Sequence, residues 1–398
     1  MLNIPLLTVY LLAFSEIKMN SGFKSSDWFE QTFGFREQRY ENVRKQFALE
    51  ENDTVLVSLA NGRRFQIGSF TTPSLEALHE RLNNLVEQSN HKSATNSVTE
   101  NIASGSATSD NIGDIGLNCK GKESSGLKFQ HLTEDVKKLH IDPKNVGAVF
   151  QVASQFNCLE MPNYHTTPDD GITDYENDRT QGPICAMSCS AGTVYRNYFI
   201  NSYGQGGLEG KQIDCLEDMG AELGNTNDKY WIMQNGYALP SKLDSMKILK
   251  TKIDCGGMMA RNAMYKLKVG VQWDTEVVNL KNKPNKDSHC VTQVFCSALP
   301  ISYTTTKTKD FESFARLVLD STYQSTFAVA AIKAFETNQR VNVYLTKIGG
   351  GAFGNQSQWI VDAIRKSIKK YEEFPLDVHL VHYRSLEQVY LEGLQGIK

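Results

Sequence analysis

Residues 341–359, VNVYLTKIGGGAFGNQSQW, decide how this chain is read. A run of β-branched and aromatic residues breaks at Gly349, Gly350 and Gly351, resumes with Ala352 and Phe353, and breaks again at Gly354 ahead of an amphipathic stretch. That pattern predicts strand, loop and helix. Glycines at such a junction permit positive φ and let the main chain approach a ligand with no Cβ in the way. Successive amides then form an anion-binding hollow, reinforced by the positive end of the following helix. A diphosphate is the guest that fits. The loop is not a P-loop, because no Gly-Lys-Ser/Thr follows, and it lacks the acidic partner of the dinucleotide fingerprint. The bland alternative is a tight turn with no ligand. Phe353 suits either the face of a sugar or base or the core, and Asn355 completes the candidate set at this loop.

Outward from the loop, strands and helices alternate. QWIVDAIRKSIKKYEEF reads as a helix and DVHLVHY as a strand. Upstream stand the long helix FESFARLVLDSTYQSTFAVAAIKAFE, the strands HCVTQVFCSALPISY and KLKVGVQWDTEV, and the helix QIDCLEDMGAEL. Before them come GPICAMSCSAGTVYRNYF, a buried helix expected to begin at Pro183, the strand in NVGAVFQVASQFN, and a short helix near TEDVKKLH. The alternation predicts an α/β fold with a largely parallel sheet covered on both faces. In that architecture ligands bind beyond the carboxyl ends of the strands.

A second candidate loop follows the strand GAVFQVAS. Gln151 lies on the strand, and Gln155, Asn157 and Glu160 cluster where it ends. An Asn there reads a ribose hydroxyl through its paired donor and acceptor, or caps a turn. Further on, TTPDDGITDYENDRTQGPICAM crowds Asp169, Asp170, Asp174, Glu176 and Asp178 before a helix whose start carries Thr180, Gln181 and Gly182. Most of these acids suit solvent or helix capping. One beside a bound sugar can act as general acid or base, and a carboxylate pair is the usual equipment for cleaving a glycosidic bond. Position alone does not choose among them. Asp274 and Glu276 either join the site or merely end a strand.

Composition limits the rest. At 398 residues the chain exceeds one compact core, and a formal charge of −3 supplies no footprint for general nucleic-acid or membrane-surface binding. The eight cysteines form no C-x-x-C pair; Cys185 and Cys189, four apart, suit core packing. No metal ligand set and no cofactor is expected, and reduced thiols point to a cytoplasmic or nuclear setting. The apolar run IPLLTVYLLAF at 4–14 fits a cleaved signal, or a leader or mis-called start with translation from Met19. Residues 19–88 read as a small α+β module with a hairpin at Asn61-Gly62, and the Ser/Asn/Gly-rich stretch 89–128 as a flexible linker to a domain spanning 129–398.

The ordered series VFQVASQFN, TQGPICAMSCSAGTVYRNY, HCVTQVFCSALPISY, the long helix, VNVYLTKIGGGAFGN and DVHLVHY resembles the macrodomain family over about 147–385. AFGN at 352–355 is similar to that family's Gly-x-Phe-Gly diphosphate loop. The triple glycine resembles, more weakly, the poly-ADP-ribose glycohydrolases that share the fold. In place of the family's paired asparagines stands Ala153-Ser154-Gln155-Phe156-Asn157, so Asn157 carries over, and Thr180-Gln181-Gly182 represents the first glycine loop. No Gln-Glu-Glu follows Gln181, and 200–289 reads as an insertion. The resemblance implies a three-layer α/β/α fold with a mixed sheet that binds ADP-ribose. It also implies that ADP-ribosylated protein is a candidate partner and that ADP-ribosyl hydrolysis is the candidate chemistry, with Asn157 orienting the distal ribose; Asp178 is our own choice of acid or base among the acids of the loop. A reader or scaffold without catalysis is the alternative.

Overall fold

The computed structural model describes residues 27–95, 126–279 and 288–397. The expected leader at 1–18 and the stretch 96–125 of the expected linker lie outside them. Helix α1 (Trp28–Phe33) starts at Asp27, whose side chain accepts the Glu30 N–H, and stops at Gly34 in the left-handed region. After α2 (Tyr40–Arg44), strands β1 (Phe47–Glu50), β2 (Val55–Ser58) and β3 (Arg64–Gln66) form an antiparallel sheet. The β2–β3 turn contains Asn61-Gly62, with Gly62 at φ 70, where the sequence places a hairpin.

The principal sheet has seven strands in the order β4 (Ser69–Thr71), β9 (Gly270–Glu276), β10 (Cys290–Cys296), β6 (Val149–Ala153), β11 (Val341–Leu345), β12 (Leu376–His382) and β5 (Lys128–Thr133). From β10 to β5 every pairing is parallel, while β9 runs antiparallel to β10 and β4 antiparallel to β9. The sheet is therefore mixed and largely parallel. Its central strands are buried on both faces because both are covered, with Gln151, Thr292 and Gln293 among the polar side chains enclosed there.

One face packs on α10 (Thr308–Thr337), a helix buried on all sides from Ser321 to Ala334, against which α3 (Leu75–Thr95) and α11 (Ser357–Lys370) lie. The other is covered by α4 (Val136–Ile141), α5 (Gln181–Ser188) and α6 (Ser190–Tyr198). On that second face the rings of His140, Phe150, Tyr344 and His379 stack in one column from α4 across β6, β11 and β12, with centroids 3.8, 4.8 and 4.9 Å apart. The column fixes the register of the three strands on which the cleft is built.

Several elements differ from the reading of the sequence. The helix expected from Pro183 starts two residues earlier, at Gln181, and breaks at Cys189, whose φ −119 and ψ 56 separate α5 from α6. Helix α3 runs to Thr95, into the stretch expected to be linker. β4 and α3, expected inside a separate amino-terminal module, belong to the edge and helical layer of the large sheet. Within 200–289 the helix expected at QIDCLEDMGAEL is α7 (Glu217–Leu223), and the structure adds the hairpin β7 (Trp231–Gln234)–β8 (Tyr237–Pro240), α8 (Ser245–Cys255) and α9 (Met258–Lys266). The hairpin escapes a periodicity reading because each of its strands has only 4 residues; α8, by contrast, buries Met246, Leu249 and Ile253 at helical spacing. A last helix, α12 (Gln388–Gly393), follows β12. No helix among the described residues is long and apolar enough to cross a membrane.

Candidate functional site

A cavity of about 390 Å³ opens beyond the carboxyl ends of β6, β10, β11 and β12. The β11–α11 loop forms one wall. Gly349, at φ 70, turns the chain where a Cβ would run into Ala298 and Asn355, so only glycine fits. Asn355 is buried and ties the loop down: its N–H donates to Gly349 O at 2.9 Å and its Nδ2 to Leu299 O at 2.9 Å. Tyr323 of α10 braces the strand end, donating to Thr346 O at 2.7 Å and accepting from Ile348 N–H at 3.1 Å. The N–H of Gly350 closes a turn on Lys347 O at 3.0 Å. By contrast, the consecutive N–H groups of Gly351, Ala352 and Phe353 have no acceptor among the described residues, and all three residues line the cavity. Gly351 has nothing within 4 Å of where a Cβ would stand.

The facing wall is the start of α5. β6 and β11 pair only as far as Phe150 and Tyr344, then part. The Gln181 amide fills the gap, donating from Nε2 to Gln151 O and accepting the Ala153 N–H, each at 2.8 Å. Gly182 lets the helix abut β6; a Cβ there would strike the Ala153 carbonyl. Thr180 is the cap residue of α5 and lines the cavity with Asp178 and Arg179. Arg179 is exposed and has no partner among the described residues; Lys347, also lining the cavity, pairs with Glu387.

Glu160 is the chemically unusual group of this cavity. It is 3% exposed, lines the cavity, and neither carboxyl oxygen has a hydrogen-bond partner among the described residues. Burial pushes its carboxyl up to about 8, against the pull of Arg196 and with a small push from Asp178. Arg196 Nη2 stops 3.9 Å from Oε2, because the guanidinium is held elsewhere: Nε donates to Cys158 O at 3.1 Å, Nη2 to Thr193 Oγ1 at 3.2 Å, and the Phe295 ring lies 3.7 Å beneath. The Glu160 N–H donates to Tyr175 Oη at 3.0 Å. Burial therefore favours the protonated form of this side chain.

The residues expected from the sequence divide accordingly. Gln155, Asp178, Thr180, Gln181, Gly349, Gly350, Gly351, Ala352 and Phe353 line one cavity. Gly182, Gly354 and Asn355 support its walls. Gln151 and Asn157 do neither. Gln151 is fully buried on the α10 face, donating to Thr326 Oγ1 at 3.1 Å and accepting the Thr346 N–H at 3.2 Å. Asn157 is fully buried behind the loop and off the cavity lining, donating to Gln212 Oε1 at 3.0 Å and accepting the Leu159 N–H at 3.1 Å. Phe353 serves both readings at once, lining the cavity and packing on Tyr237 and Tyr303 with centroids 5.5 and 5.6 Å away. Asp274 pairs with Lys333, and Glu276 accepts the Gln66 N–H, both remote from the cavity. Among the described residues no group of three or more His, Cys, Asp or Glu is placed to hold a metal.

Sequence reading placed Glu160 in the right cluster but gave it no role. The signal lay in its neighbours, Cys158, Leu159 and Met161, an apolar setting that a surface glutamate does not keep. Arg196 and Tyr175, distant in sequence, carried none.

Fold and cavity together define an α/β protein with a small-molecule cleft at the carboxyl edge of its sheet. No family model matches the chain, and no curated protein does. Among solved structures it is similar to the poly(ADP-ribose) glycohydrolase of Deinococcus radiodurans in complex with ADP-ribose, at 9% identity and TM-score 0.37, over 83% of this chain and 94% of that one. It is likewise similar to the poly(ADP-ribose) glycohydrolase of Thermomonospora curvata, at 10% identity and TM-score 0.38, over 88% and 92%. At such identity and overlap, what the cleft does rests on its own residues.

Proposed function

We propose that the cavity binds ADP-ribose or a related nucleotide diphosphate and that Glu160 makes the chain a hydrolase of ADP-ribosyl linkages. One observation carries the reading: three consecutive amides, at 351–353, without an acceptor among the described residues, share a cavity with the buried Glu160 carboxyl group, whose protonated form burial favours. The volume lies within the usual range for small-ligand sites. Diphosphate oxygens accept from the amides, and Arg179 adds positive charge at the rim. Glu134 and Asp135, where α4 begins, supply acceptors suited to the exocyclic amine of a purine.

Of the acids that line the cleft, Glu160 and Asp178 differ in environment, and the difference supports different roles for them. Glu160, buried and neutral, passes its proton to the oxygen leaving the anomeric carbon. Water adds to that carbon and gives its proton to Asp178, which is half-buried beside the cavity mouth with one oxygen accepting the Thr180 N–H at 2.8 Å. An ADP-ribosylated protein is the macromolecular substrate this chemistry suits.

Calorimetry with ADP-ribose and a turnover assay on ADP-ribosylated protein test the reading. Native protein is expected to bind and to turn over; Glu160→Gln is expected to bind while losing about 10²-fold or more in rate. Binding without turnover in the native protein would mark a reader, and neither heat nor thermal shift at millimolar ligand would mark a scaffold. Gly351→Val, which meets open space in the fold, is expected to abolish binding with no loss of stability.

A further inference from the structure

The loop that brings Tyr175 and Asp178 to the cleft is held from the far end of the chain. Glu37, half-buried between α1 and α2, turns its carboxylate onto the main chain of that loop. The Ile172 N–H donates to both oxygens at 2.9 Å and the Thr173 N–H to Oε2 at 2.7 Å. The Tyr198 hydroxyl of α6 donates to Oε1 at 2.6 Å. Trp28 of α1 takes the other side of the same segment, its Nε1–H donating to Thr173 O at 2.9 Å. Gly171, at φ 81, makes this approach feasible, since a Cβ there would stand 2.5 Å from the Glu37 carboxylate.

Downstream of this grip the loop reaches both acids. Tyr175 is buried in the aromatic cluster of Trp28, Phe29 and Tyr198, and its hydroxyl oxygen accepts the Glu160 N–H. Asp178 follows, its N–H donating to Tyr175 O at 3.2 Å. A carboxylate that only needed solvation would face water. Glu37 instead satisfies two amides and a phenol drawn from two other parts of the chain, and the element it immobilises bears one acid and touches the other.

We infer that Glu37 is a positioning residue for the Glu160–Asp178 pair, acting through residues 171–175. The inference rests on the hydrolytic reading of the cleft. It gives the amino-terminal segment a role in the site itself, since α1 supplies Trp28 and the α1–α2 connection supplies Glu37.

The test compares full-length native protein with Glu37→Ala and Glu37→Gln. The alanine variant is expected to lose about tenfold to hundredfold in kcat on ADP-ribosylated protein, because small displacements of catalytic groups carry that cost. Its Kd for ADP-ribose is expected to stay unchanged, and amide hydrogen exchange at Ile172 and Thr173 to rise. Glu37→Gln keeps an acceptor oxygen and is expected to recover part of the rate. A second readout needs no substrate. Glu160 faces Arg196 of α6, Cys185 of α5, and Tyr175 and Asp178 of the loop. Loosening the loop admits water, so the pH midpoint of the Glu160-dependent melting temperature, taken as the difference between proteins with and without Glu160→Gln, moves down from about 8. If exchange and midpoint move while native protein binds no ADP-ribose, the clamp stands and the hydrolytic reading falls. A folded Glu37→Ala protein with native kcat and native midpoint overturns the inference, even with faster exchange. If that variant does not fold, Trp28→Phe, which removes the donor to Thr173 O and keeps an aromatic ring in the cluster, is expected to show smaller changes in the same directions; their absence overturns the inference equally.

Discussion

Glu160 keeps its proton because the fold withholds the two things that would take it: water and a close cation. Burial is the larger cause, and Arg196 stands at 3.9 Å, too far for the paired hydrogen bonds of a tight ion pair. The sign of the resulting linkage follows. An unfolded glutamate titrates near about 4.3, whereas the folded one titrates at about 8, so the folded state binds the proton more tightly. That contribution is fully present below the unfolded value and is lost as pH rises through about 8. Glu160→Gln, which cannot ionise, is therefore expected to melt above native protein at pH 9 and to approach it near pH 4. The gap should grow by up to about 1.4 kcal/mol per pH unit between the two values. Thermal melts across that range check the prediction, and parallel curves for the two proteins would refute it.

The walls of the cleft depend on how α5 and the β11–α11 loop meet the sheet. α5 approaches β6 as closely as it does because Gly182 has no side chain and the Gln181 amide replaces the strand partner that β6 loses after Phe150. Gly182→Ala should push the helix off the strand and cost about 1–3 kcal/mol, the usual range for overpacking. Gln181→Ala should cost about 1–3 kcal/mol by stranding the Gln151 carbonyl and the Ala153 N–H. Urea unfolding measures both, and both should weaken ADP-ribose binding because they move the wall that faces the amides. A loss of stability with unaltered binding would show that the α5 wall is not part of the ligand site.

Across the molecule, the amino-terminal segment and the large sheet share contacts that a linked pair of domains would not. Trp28, Phe29, Phe33, Tyr40 and Phe47 pack with Ala186, Ala191, Val194 and Tyr198 of α5 and α6 in one buried cluster. β4 extends the seven-stranded sheet, and α3 packs on α10. Cooperative unfolding of the whole is the physical consequence. Differential scanning calorimetry is expected to give one transition, coincident with loss of helical circular dichroism; an earlier, separate transition that Phe29→Ala abolishes would show an independent module.

The amino-acid sequence by itself determined the α/β alternation, the strand-to-helix turn at Gly349–Gly354, the hairpin at Asn61-Gly62, and most of the residues that line the cleft. These features are legible because they rest on local causes: side-chain periodicity over a single element, and the backbone freedom of glycine over two or three residues. Asn157 and Gln151 misled for the same reason, since nothing local distinguishes an amide facing a ligand from one facing the core. Only the tertiary structure decided that Glu160 is dry, that Arg196 stops short of it, that β4 joins the large sheet, and that Glu37 holds the loop of Tyr175 and Asp178. Each of these depends on which distant segments exclude water from a given atom, and a proton's affinity for a carboxylate is set by that exclusion rather than by neighbours along the chain.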